Sequence, residues 1–236
     1  PWRATFVFAG ADAIQNIILD NVDYGSGGLP IMVDSSATLN TGMNVIGGSG
    51  DFVLNTGGIL ATAHPAGIDS TLQTSGMISF DKKAGFLFNG TEAQVPGMMM
   101  PDTIGTLAVD NPAGVSFNDT LACTGLMIGA GAQMLVDTLG YVTADTGHVH
   151  GTVTIHGELG ASDHLTFEDG SVYDHARNGG NIPTSLWNMG STLLLTGIVD
   201  ETPGNRNQSY YNMVFNTPNL SSNKDMSLDD VTIGGD

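Results

Sequence analysis

Phe6-Val7-Phe8-Ala9-Gly10-Ala11-Asp12-Ala13 returns eighty residues later as Phe86-Leu87-Phe88-Asn89-Gly90-Thr91-Glu92-Ala93, and each copy opens a longer unit. The first unit runs on through Ala37-Thr38-Leu39, Asn44-Val45-Ile46 and Phe52-Val53-Leu54. The second runs through Gly105-Thr106-Leu107-Ala108-Val109, Leu126-Met127-Ile128 and Gln133-Met134-Leu135. A weaker third echo is Tyr211 to Asn216 followed by Met226 to Gly235. A repeat of strand, turn and strand cannot bury its apolar side alone, so successive copies have to stack. The expectation is one all-β solenoid over residues 1–236, with internal repeats near 4–80, 84–160 and 161–235. A series of β-sandwich repeats is the alternative.

Period-two alternation supports the strand assignment. Thr152 to His156, Gly50 to Leu54, Thr106 to Val109 and Thr192 to Leu195 are short runs of this kind. Turn clusters separate them: Gly25 to Gly28, Gly47 to Gly50, Asp110-Asn111-Pro112 and Asn178 to Asn181. Ala11 to Ile18 would also suit a short amphipathic helix, with Ile14, Ile17 and Ile18 on one face. Its place in the repeat favours strand. Parallel pairing at about 20 residues per rung and 4.8 Å between rungs is expected. Phe6, Phe8, Phe52, Leu54, Phe86, Phe88, Leu107, Val109, Ile155 and Leu195 are expected to face inward.

Composition narrows the function. Charged residues are only 13% of the chain, so Thr, Ser, Asn and Gly (33 glycines) must supply the polar surface. Acids outnumber Lys and Arg 24 to 6, a net charge of −18 that repels phosphate backbones and anionic membrane surfaces. No nucleic-acid partner is therefore expected, and no membrane insertion either, since no run approaches the ~18 apolar residues of a spanning helix. Cys123 is the single cysteine, flanked by Leu121 and Leu126, and reads as a small buried hydrophobe. The sequence opens at Pro1 without an initiator Met or a signal peptide, as a processed or partial chain would.

The succession "GSGDFVLNTGGILATAHPAGI", "LQTSGMISF", "FLFNGTEAQVPG" and "IGTLAVDNPAGVSFNDTLACTGLMI" resembles large repetitive adhesin-like surface proteins of Bacteroidota-type bacteria. "GGNIPTSLWNMGSTLLLTGIVDETPGNRNQSYYNMVFNTPNL" resembles another recurring block of those proteins. It is their order that carries the resemblance, over roughly residues 4 to 235. It implies a right-handed parallel β-helix, export by the type IX route and a secreted, extracellular or cell-surface location. The acidity of this chain departs from the pattern. The resemblance also implies O-glycosylation of Asp-Ser/Thr-(aliphatic or Thr) triplets. Four are present, and their acceptors are Ser70, Thr103, Thr120 and Thr138.

Candidate chemistry is sparse. Four of the 6 histidines fall between His148 and His164. His148 and His150 share one face of a strand, and with His156 from the next rung they would offer imidazoles to Zn²⁺ or Cu²⁺. Exposed strand histidines explain the pattern without a metal. No cofactor is required by the sequence. Turn Asp and Asn oxygens suit Ca²⁺, although solvated acid explains them more simply. Asp229-Asp230 is the one adjacent acidic pair in strand-like sequence. Arg3, Arg177, Arg206 and three lysines are too scattered to form the cationic groove of a lyase for acidic polysaccharides. No nucleophile elbow supports Ser-His-Asp catalysis, and Gly47-Gly48-Ser49-Gly50 lacks the Lys of a phosphate loop.

These features together lead to a non-catalytic extracellular structural or adhesive protein, in the form of a filament subunit. A carbohydrate-binding module is the second reading, with Trp2, Tyr141, Tyr173, Trp187, Tyr210 and Tyr211 as its aromatic platform. A β-helical polysaccharide enzyme is the third. Expected partners are further copies stacked head to tail, other surface proteins, or glycans. Head-to-tail stacking follows from two strand-like segments without an evident cap, Ala4-Thr5-Phe6-Val7-Phe8 and Val231-Thr232-Ile233.

Overall fold

A computed structural model describes residues 5–10, 13–16, 28–161, 164–221 and 232–235. They fall into two compact units, residues 1–115 and 116–236. Both are parallel β-solenoids.

In the first unit the strands are β1 (Phe6–Phe8), β2 (Ala13–Asn16), β3 (Ile31–Val33), β4 (Ala37–Asn40), β5 (Phe52–Leu54) and β6 (Ile59–Thr62). They are followed by β7 (Ile78–Phe80), β8 (Gly85–Phe88) and β9 (Thr103–Val109). One face is built in the order β1-β3-β5-β7 and another in the order β2-β4-β6-β8-β9, every pair parallel. The only helix among the described residues is a single turn, α1 (Ile68–Thr71). Ala13–Asn16 is therefore strand, as its place in the repeat requires, and the rest of the Ala11 to Ile18 segment lies outside the described residues.

Parity decides what is inside. Phe52 and Leu54 point inward and pair in register with Ile31 and Val33 below and with Ile78 and Phe80 above. Phe52, Leu54, Phe86, Phe88, Leu107 and Val109 are all buried. Phe52, Phe80 and Phe86 form an edge-to-face chain, with centroids 6.3 and 5.4 Å apart. The two-residue corners between the faces follow Asp34, Asn55 and Asp81, whose backbone N–H groups bond to Phe8, Val33 and Leu54 one rung below. Phe6 departs from the expected pattern. It is 47% exposed, and Phe8 is only half-buried. Among the described residues β1 pairs with β3 alone, so no second rung closes over its side chains.

β10 (Val115–Phe117) spans the boundary. The second unit continues with β11 (Thr120–Ile128), β12 (Gln133–Val136), β13 (Tyr141–Val149), β14 (Thr152–Ile155) and β15 (Glu158–Ala161). It ends with β16 (Leu165–Phe167), β17 (Val172–His175), β18 (Ser185–Trp187), β19 (Thr192–Leu195) and β20 (Asn212–Phe215). One face runs β11-β13-β16-β18, with β15 also on β13, and the other runs β12-β14-β17-β19-β20. All these pairs are parallel. Thr152, Val172, Thr192 and Asn212 occupy one register position on successive strands, which fixes the rung at 20 residues here. Ile155 and Leu195 are buried as expected, and so is Cys123. Several corners turn sharply at a glycine where a left-handed φ is needed, as at Gly170 (75°) and Gly190 (84°).

Candidate functional site

The outer face of β13 carries the histidines. Alternation buries Val149 and turns His148 and His150 outward together, as the sequence indicates. Register then aligns Met127, His148, Thr166 and Leu186 in one outward-facing row across β11, β13, β16 and β18, with Thr166 half-buried. The residue after β16 is Glu168, and it completes a polar ladder over three rungs. Its Oε1 lies 2.8 Å from His148 Nδ1, and its Oε2 accepts a hydrogen bond from Asn188 Nδ2 at 2.7 Å. The His148 contact, then the Asn188 bond, holds the Glu168 carboxyl below its ordinary range.

His156 is not part of this cluster. It follows the far end of β14, about 13 Å of strand from the end that His150 precedes. There its Nδ1 contacts the Ala176 carbonyl at 3.0 Å. Among the described residues no group of three or more His, Cys, Asp or Glu side chains stands close enough to hold a metal ion.

The carboxylates mostly serve the corners. Asp51 accepts the Met77 N–H (2.8 Å), Asp69 accepts those of Met98 and Met99 (2.9 and 2.7 Å), and Asp81 accepts that of Lys83 (2.8 Å). The Lys83 N–H, then Thr56, lowers the Asp81 carboxyl, and the nearby Lys82 and Lys83 charges add to this. Asp229-Asp230 lies outside the described residues. Asp174 differs. It stands on the outer face of β17, half-buried, and accepts the Thr196 hydroxyl at 2.6 Å. Burial raises its pKa against the opposing effects of Thr196 and His156. The cations do not converge on it as a groove. Arg177 Nη1 donates to the Gly157 carbonyl and stands 4.0 Å from Glu158, Arg206 donates to the Pro203 carbonyl at 3.1 Å, and Arg3 lies outside the described residues.

The acceptor hydroxyls of the four Asp-Ser/Thr triplets sit at corners or strand starts. Thr103, Thr120 and Thr138 are exposed, and Ser70 is half-buried on α1. In two triplets the Asp carboxylate accepts the N–H of the following Thr: Asp119 to Thr120 at 2.8 Å and Asp137 to Thr138 at 2.7 Å. The Asp137 N–H bonds to the Phe117 carbonyl and the Tyr141 N–H to that of Asp119, so these two triplets stack on adjacent rungs.

Half of the aromatic platform is internal. Trp187 stacks on Phe167 with centroids 4.4 Å apart and planes 9° off parallel, and it meets Tyr173 and Tyr210 edge-on at 6.1 and 5.0 Å. All four rings are buried. Burial raises the pKa of both tyrosines. Tyr141 is exposed, Tyr211 is half-buried, and Trp2 lies outside the described residues. Sequence reasoning passed over His175, which is fully buried beside this cluster. Its signal was the alternation Val172-Tyr173-Asp174-His175, which places Tyr173 and His175 on one face. His175 Nε2–H donates to the Gly179 carbonyl at 2.7 Å, and Nδ1 faces the Tyr173 hydroxyl at 3.4 Å. A carbonyl can only accept, so Nε2 carries the proton, and in the neutral ring Nδ1 is the acceptor. Burial pushes the His175 pKa down.

No helix among the described residues is long and apolar enough to cross a membrane. No family model, curated protein or solved structure matches the chain.

Proposed function

We propose that the chain is a non-catalytic, extracellular structural or adhesive protein whose copies stack head to tail into a filament. The observation that carries this is the apolar character of its outermost described strands. On β1 Phe6 and Val7 are 47% and 53% exposed, and on β20 Val214 and Phe215 are 44% and 48% exposed. Among the described strands β1 pairs with β3 alone and β20 with β19 alone, and large apolar side chains on such strands suit the addition of another strand, because backbone pairing and apolar burial then act together. An interface of this kind is heterologous and propagates. The acidic surface suits an extracellular, salt-tolerant assembly, and glycans on Thr103, Thr120, Thr138 and Ser70 would extend from corners without disturbing the sheets. Burial of Tyr173, Trp187 and Tyr210 removes three of the six aromatic residues that a carbohydrate-binding module would present.

Light scattering and negative-stain microscopy of the purified 236-residue protein test the proposal. The expected result is mass that grows with concentration and rods of one-rung cross-section, both lost in a Phe6→Asp, Phe215→Asp double variant. Stable monomers over a wide range of protein and calcium concentration would sink it. Native protein should also exceed the bare chain mass of 24.4 kDa if the triplets are glycosylated.

A further inference from the structure

The corner that follows β17 is built around a buried base. His175 ends β17 with no solvent exposure, and its Nε2–H holds the Gly179 carbonyl. Gly179 has a φ of 63°, and its α-carbon lies so close to Glu201 that an added Cβ would stand 2.6 Å from the carboxyl carbon. Its N–H bonds in turn to the Glu201 carbonyl. Beside it, the Asn178 side-chain oxygen accepts the N–H groups of Val199, Asp200 and Glu201 at 2.9, 3.0 and 2.9 Å. Ile182 N–H bonds to the Gly204 carbonyl, and Gly204 N–H bonds to that of Gly180. Residues 176–182 and 197–206 are thus two successive corners tied together, and the inner end of the tie is an imidazole.

We propose that His175 is the release of an acid-opened latch that holds residues 176–182 and 197–206 against the solenoid. The neutral ring satisfies both of its nitrogens: Nε2–H on Gly179 and Nδ1 facing the Tyr173 O–H. A proton added at Nδ1 turns that acceptor into a donor and leaves the Tyr173 hydroxyl proton to find another partner beside the Phe167 and Trp187 rings. It also places a positive charge in the core. The groups around the ring do not compensate for it. Arg177, on the corner itself, repels the imidazolium. Tyr173 and Tyr210 stay neutral. Asp174 points to the opposite face of β17 and is bonded to Thr196. Glu158, from β15, faces Arg177. Glu201, from the second corner, packs on Gly179 rather than on the ring. His156, at the end of β14 one rung below, contacts the Ala176 carbonyl and offers the ring no negative charge. Protonation therefore favours the state in which His175 swings into water and both corners release.

The sign follows from linkage. The folded pKa lies below the unfolded one, so the closed state holds fully above the ordinary histidine range. Closure weakens by up to about tenfold per pH unit as pH falls below about 6.5, for as long as His175 stays neutral in the closed form. Hydrogen exchange of the whole chain, corrected for intrinsic rate and measured between about pH 7.5 and pH 5, reads the opening directly. In the wild type, amides of residues 176–182 and 197–206 should lose about tenfold or more of their protection, while those of β12 and β14 keep theirs. His175→Gln retains a donor for Gly179 and an acceptor for Tyr173 but cannot titrate, and its protection should be flat with pH. Equal pH profiles in the two proteins would overturn the latch. Should the variant not fold, the wild-type His175 ring-proton resonance decides. It should titrate only together with corner opening, and titration near pH 6.5 with both corners still protected would overturn it equally.

Discussion

Trp187→Ala probes the interior of the second unit where it is most densely aromatic. The indole lies flat on Phe167 at 4.4 Å and is met edge-on by Tyr173 and Tyr210, with 7% of its surface exposed. Truncating a buried Trp costs about 3–5 kcal/mol through lost transfer energy and the cavity left behind. Two features set the position in that range. Three ring contacts are lost at once, and such pairs contribute about 0.5–1.5 kcal/mol each beyond their area, without strict additivity. The indole N–H bond to Gln208 is long at 3.3 Å, and the Gln208 oxygen keeps the Ser185 N–H at 3.0 Å, so no buried acceptor is orphaned. The expected cost is about 4 kcal/mol, a large part of the 5–15 kcal/mol typical of a domain. Trp187→Phe, which preserves a ring on Phe167, should lose less than half of that. Urea unfolding at 25 °C followed by far-ultraviolet circular dichroism measures both. A Trp187→Ala cost below about 1 kcal/mol, the size of a surface change, would refute the internal stack.

Other perturbations separate inside from outside. Phe52→Ala should cost about 3–5 kcal/mol in the same unfolding assay, whereas Phe6→Ser should stay within about 1 kcal/mol of wild type, because one ring is enclosed and the other half in solvent. His148→Ala should raise the Glu168 pKa toward its ordinary 4.5 in a carboxyl NMR titration. The stability that the ladder gives is present above that value and is lost as pH falls through the lowered folded pKa, and it amounts to less than about 1 kcal/mol on an exposed face. For Asp174 the sign is reversed: its folded pKa is raised, so ionisation opposes folding as pH rises. Asp174→Asn should therefore be more stable than wild type at pH 7, and the gain should vanish once both states are protonated below the ordinary value of 3.8.

Period-two parity made much of this fold legible before any coordinates. Thr152 to Ile155 alternates cleanly, and both it and Thr192 to Leu195 bury every second residue. Recurrence of such runs pointed to stacked parallel rungs. Parity says which side chains share a face, but it does not say whether another rung lies over that face, and Phe6 is exposed for that reason. It also weakens in very short strands. In Ser185-Leu186-Trp187 the Leu is 59% exposed and the Trp is buried, the arrangement being set by the Phe167 ring one rung below. The same limit hid the interior position of Tyr173 and Tyr210. His148 and His150 were recognisable as neighbours, but the Glu168 partner stands 20 residues on and can be assigned only once the register of β13 and β16 is fixed. His175 reads in sequence as one more strand residue, and its role depends on the Gly179 carbonyl that the following turn folds back onto it.

Fibre diffraction from aligned assemblies tests the stacking proposal most directly. Strands added rung upon rung repeat along the direction of their hydrogen bonds, so head-to-tail filaments should give a meridional reflection near 4.8 Å, parallel to the fibre axis. Fibres with that spacing on the equator would mean lateral rather than end-to-end association, and a protein that yields no fibres at all would contradict the filament outright.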